Sequence, residues 1–216
     1  MLAQKLGEIQ KPAVDSFVLA KKLFCLPLIP RFESETIQKV LQQSIDLFWQ
    51  QADKQVSELE RTGKVSYIFY ESVTADGDVG LDVIKQINDQ SYNLVKEKLG
   101  QGAKLVSIEE EETFNEYLDW SICLSVVRKS YSVLNKILGF HQEISKKRVE
   151  NIAKKIQDTL QSGETGLLVM TDENRLQVQS LLSDDIQVFL VRPPALNDIE
   201  HFFRDYMKQQ NEAECS

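Results

Sequence analysis

Between Lys146 and Met207 a helical pattern, a short apolar run, a second helix, a second apolar run and a third helix follow one another. The two runs are Gly166-Leu167-Leu168-Val169-Met170 and Ile186-Gln187-Val188-Phe189-Leu190-Val191. Each is too short and too continuous for an amphipathic helix. The second is rich in β-branched residues, as strands buried on both faces are. Strand–helix alternation of this kind restricts the chain to a sheet covered by helices, with any ligand beyond the carboxyl ends of the strands.

The first half carries the same grammar. The run Leu23 to Pro30 reads as a strand, and Pro27 within it favours an edge position or a bulge because it lacks a ladder donor. Apolar residues from Ile37 to Leu59 recur at three- and four-residue steps, which predicts one long helix over 33–62, stopped by Gly63. Val65 to Tyr70 is a β-branched and aromatic strand. A Gly-containing loop over 74–80 leads to a helix over 81–99, and Lys104 to Ile108 is a short strand. Residues 113–161 show no strand signal. They predict helices, with a break at Gly139 and a further helix over 144–160. The expected fold is therefore α/β, with a mainly parallel sheet of about five strands, helices on both faces and a helical insertion at 113–161. The domain spans 16–210, after an N-terminal arm at 1–15 and before a tail at 211–216.

A chain of 216 residues can bury a real core, and 42% hydrophobic with 27% charged residues is ordinary globular usage. A formal charge of −8 argues against a nucleic-acid binder, which needs a clustered basic surface. Cys25, Cys123 and Cys215 lack metal-type spacing and are odd in number, so the expected compartment is a reducing cytoplasm. No apolar run is long enough for a membrane span.

In a parallel sheet the residues just after each strand collect on one rim. Here they are Pro30-Arg31, Glu71-Ser72, Glu109-Glu110, Thr171-Asp172-Glu173 and Arg192-Pro193. Carboxylates from different strands, Glu71, Glu109 and Asp172, can share a hard cation such as Mg²⁺ or Mn²⁺, or divide acid and base roles. Arg31 and Arg192 are the candidate anion-binding groups on this rim. Glu111 and Glu112 read as a solvated first helical turn, favoured by the helix dipole. The Asp76-Gly77-Asp78 loop lacks the further ligands of an EF-hand. His141 and His201 read as surface or packing residues. There is no histidine pair at metal spacing, no Gly-x-Ser-x-Gly elbow and no phosphate loop. In the last predicted helix, Ile199, Phe202, Phe203, Tyr206 and Met207 form an apolar face. It is expected to cover the sheet, with docking onto a second copy as the other use.

The segment Arg148-Val149-Glu150-Asn151-Ile152-Ala153-Lys154-Lys155-Ile156, then Gly163, then Gly166 to Asn174, resembles in layout the TraB/ChaN/Tiki-like superfamily. There a helix carrying an Arg leads into a strand ending in Gly-x-x-His. Upstream, the strand ending at Glu71 is similar to the family's strand with a terminal acid, and Ile29-Pro30-Arg31 lies where a first Gly-x-x-His is expected. Both Gly-x-x-His motifs are absent, and only Glu71 and Arg148 match residue by residue. The resemblance implies an α/β fold and descent from a metal-dependent hydrolase that has lost its imidazoles.

The favoured function is a non-catalytic domain that binds a small anionic ligand or a protein partner. The alternative is a carboxylate-based, divalent-cation-dependent hydrolase acting on an anionic small molecule. In that case Glu71, Glu109 and Asp172 serve as ligands or acid/base groups, Arg31 or Arg148 binds the anionic substrate, and the divalent cation is a cofactor of this alternative alone.

Overall fold

The computed structural model describes residues 19–29 and 34–214, apart from the side chains of 35, 207 and 209–214. The expected arm at 1–15, Arg31 and Cys215 lie outside the described residues. In chain order the elements are β1 (Lys21–Pro27), α1 (Glu35–Leu59), β2 (Val65–Tyr70), α2 (Gly77–Ile87), α3 (Asp89–Gly100) and β3 (Lys104–Ser107). There follow α4 (Glu111–Val126), α5 (Tyr131–Thr159), β4 (Thr165–Met170), α6 (Asp172–Gln179), β5 (Ile186–Leu190) and α7 (Ala195–Glu214). The five strands form one sheet in the order β3-β2-β4-β1-β5, and every pairing is parallel.

The continuous apolar runs follow from this order. β4 is central and all six of its residues are buried, which is why the run Gly166 to Met170 is apolar on both faces. Alternation along the strands divides the core in two. Phe24, Leu26, Ile68, Tyr70, Leu167 and Val169 point to a face covered by α1, α2, α3 and the start of α7. Leu23, Cys25, Phe69, Leu168 and Met170 point to the opposite face, where Val149, Ile152, Ala153 and Ile156 of α5 and Val178 of α6 meet them. Connections leaving β1 and β2 thus cross one face, and those leaving β3 and β4 cross the other. That is a doubly wound arrangement, with the chain reversing its course across the sheet after β3.

Three expectations are corrected. The helix over 81–99 is two helices, because Asn88 is extended (φ −159°, ψ 108°) and its side chain caps the second by accepting from Gln90 N at 3.0 Å and Ser91 N at 2.9 Å. The expected break at Gly139 is absent: α5 runs 29 residues through it, and an added Cβ there would meet nothing within 4 Å. Pro27 sits on an internal strand, not an edge. Leu28 N donates back to β4, so the missing Pro27 donor faces β5 beyond the last β1–β5 pair at Cys25–Leu190. The last helix runs to Glu214. Its Ile199 is buried and Phe202 and Phe203 pack on the α1 side of the core, so this face covers its own body.

Candidate functional site

Strand parity aims the first acid. Phe69 faces α5 and α6, so Glu71, two residues on, faces them too, just beyond the end of β2. Glu109 follows β3, one residue after buried Ile108. Both are buried, at 4% and 5% exposure. Between them lies Arg148 of α5, itself 3% exposed. Ile144, Arg148, Ile152 and Ile156 are spaced by four along the helix, which puts the arginine on the same inward stripe as the three isoleucines.

The guanidinium holds both acids. Arg148 Nε donates to Glu109 Oε2 at 2.9 Å, Nη2 donates to Glu109 Oε1, and the same Nη2 reaches Glu71 Oε1 at 3.4 Å. The second carboxylate needs further donors, because one cation does not neutralise two anions. Thr171 N donates to Glu71 Oε2 at 2.7 Å, at the positive N-terminal end of α6, and Thr171 Oγ1 and Asn174 Nδ2 donate to Oε1. Ser72 N donates to Glu109 Oε1 at 3.1 Å, from a backbone held at φ +67°, the left-handed region that non-glycine residues seldom adopt. Tyr117 and Phe114 of α4 cover the guanidinium, with ring centroids 4.7 and 5.4 Å from Cζ. Burial disfavours the charged arginine. The hydrogen bonds and charge of Glu109, with Glu71 and Tyr117 adding to them, more than offset this and raise its pKa above the ordinary value.

Asp172 belongs to a different group. It accepts from Arg175 Nε at 2.9 Å and from Arg192 Nη1 at 3.0 Å, and Arg192 also donates to Glu200 at 2.9 Å. Arg192 stands at the far edge strand, across β1 from β4, so Asp172 turns towards β5 while Glu71 turns towards α5. Cys25 lies near this second group, buried, and burial pushes its thiol pKa up to about 12 despite the opposing charge of Arg175. The rim therefore holds two separate ionic clusters, Glu71–Arg148–Glu109 and Asp172 with Arg175 and Arg192. Among the described residues, no three His, Cys, Asp or Glu side chains are grouped to hold a metal ion.

Beside the first cluster an open groove of about 430 Å³ runs between the end of β3 and α5, edged by Glu110, Asn151, Lys154, Lys155 and Asp158. Asn151 Nδ2 and Thr113 Oγ1 both donate to Glu110 Oε2, which ties the start of α4 to α5. No protein-family model, no curated protein and no solved structure matches this chain.

Rim position and residue type pointed to Glu71 and Glu109, and the superfamily resemblance pointed to Arg148. The roles of Ser72, Thr171, Asn174, Phe114 and Tyr117 were not visible, since each acts through backbone placement or a ring face. One signal was present. An arginine in the middle of an isoleucine stripe must find carboxylates inside the fold.

Proposed function

We infer that this chain is a non-catalytic binding domain working through protein contacts in the cytoplasm, and a degenerate relative of TraB/ChaN/Tiki-like hydrolases. The observation that carries the reading is that all four carboxyl oxygens of Glu71 and Glu109 already have donors within the protein. A metal ligand or a general base needs a lone pair open to solvent or substrate, and both acids are buried with every oxygen already accepting a hydrogen bond from the protein. An incoming anion would have to displace Glu109 to reach Arg148. The superfamily reading draws support from the contact between its two matching residues, Glu71 and Arg148, which form an ion pair. The compartment draws support from the unpaired thiols Cys25 and Cys123. Among the described residues no helix is long and apolar enough to cross a membrane.

The hydrolase alternative retains one supporting observation, the meeting of Glu71 and Glu109 at a single nitrogen of Arg148. It requires that nitrogen to withdraw and a cation to take its place. Thermal unfolding of the purified chain with and without millimolar Mg²⁺ or Mn²⁺ decides between the two. A native-state ligand raises Tm by mass action. The binding-domain reading expects no cation-dependent rise in the wild type, Glu71→Gln or Glu109→Gln. A rise in the wild type that both substitutions abolish overturns it.

A further inference from the structure

Half of the exposed large apolar side chains among the described residues lie within 118–140, the distal part of the α4–α5 hairpin. Along its length α4 packs on α5 and barely on anything else, and Thr113 is its one buried residue. Trp120 stacks on Phe140 (centroids 4.8 Å apart), which marks one flank of the hairpin, while Tyr117 and Ser121 meet His141 in the seam between the helices. At about 100° per residue, Leu118 and Ile122 then fall on the opposite flank of α4, and Tyr131 and Leu138 on the same flank of α5. These four are 41%, 60%, 77% and 37% exposed and form one apolar strip.

Charge is polarised along the same arm. Residues 111–120 carry Glu111, Glu112, Glu116 and Asp119 and no cation, whereas residues 121–136 carry Arg128, Lys129 and Lys136 and no carboxylate. On α5 the stretch nearer the body mixes both signs, from Glu143 to Glu150, so it does not cancel the polarity. An arm with an acidic base and a basic tip complements itself when a copy is turned end for end.

We propose that the partner of this arm is a second copy of the chain, docked antiparallel strip to strip to make a four-helix bundle across a two-fold axis. The proposal deepens the protein-contact reading and rests on it. The axis passes through the strip between Leu118 and Ile122, at the level midway between Glu111 and Arg128, so each copy's tip lies against the other's acidic base. The contact is isologous, as two-fold homodimers require, with the apolar strip supplying association and the charged ends setting direction.

Light scattering and sedimentation of the full chain test it, and a dimer of the 24.8 kDa chain is expected. R128E/K129E and E111K/E112K, each made separately, are expected to raise the dissociation constant about tenfold at low salt. Combining all four changes in one chain restores pairing, because both ends are then reversed together. Circular dichroism confirms that each variant keeps its helices. A monomer at roughly 100 µM, where even a micromolar interface is filled, overturns the proposal. So does a dimer indifferent to both reversals, or one that the combined variant fails to restore. These failures leave the non-catalytic reading standing, since only a cation-dependent rise in Tm removes it.

Discussion

At the scale of single residues, the centre of the molecule is one guanidinium shared by two acids. A buried ion pair contributes little over a well-packed apolar replacement, but removing one partner strands the others and costs about 3–5 kcal/mol. Arg148→Met leaves Glu71 and Glu109 facing each other in a site with too few donors, and is expected to lower unfolding free energy in urea by that amount. Adding Glu71→Gln and Glu109→Gln to the same chain is expected to recover most of the loss, since the stranded charges are then gone. If the single substitution costs under about 1 kcal/mol, as at an exposed pair, the cluster is not the buried clasp described here. Glu71 and Glu109 were legible as rim candidates because strand ends and residue types can be read from sequence, and Arg148 was legible only through the superfamily resemblance. Their mutual pairing was not legible, because it depends on strand order. With β2 between β3 and β4, the two acids fall on adjacent strand ends, while Asp172 is drawn to Arg192 across β1.

Among the elements, those set by a continuous apolar run were the most legible. β2 falls at Val65–Tyr70 as its composition predicts, and β4 and β5 begin or end within one residue of the apolar runs. Helix punctuation was read less well, in both directions. Gly139 passes unnoticed inside α5, because an exposed glycine with no neighbour near its Cβ position costs a helix only about 1 kcal/mol. Asn88 stops a helix instead, since its side chain satisfies two amide donors at the start of α3 and its Nδ2 also donates to Ile29 O at 3.1 Å. Asn88→Ala is therefore expected to cost about 1–2 kcal/mol, the upper range for an N-cap, because it also frees the end of β1. Chemical denaturation measures the loss. A change of a few tenths would mean that the junction between α2 and α3 is held by packing alone.

Over the whole molecule, the all-parallel sheet with helices on both faces matches the pattern read from alternating strand and helix signals. Strand order was beyond that reading, since local periodicity carries no information about which strands become neighbours. The body and the α4–α5 arm differ in kind. The sheet is buried on both sides, whereas α4 leans on a single neighbour. Native-state hydrogen exchange is expected to find the amides of β1 and β4 slowest, opening only with global unfolding, and those of α4 far faster. With pairing through the arm, α4 exchange slows as protein concentration rises. Uniform protection across body and arm would contradict this division.

The contacts made by Glu71 and Arg148 span 39, 77 and 100 residues of chain. Closing loops of that length is entropically slow, and the complete set of bonds can form only when three strands and two helices stand in register. Those bonds thus come too late to guide the nascent chain. Their influence falls on the reverse journey, as a barrier that delays escape from the native basin once it has been reached.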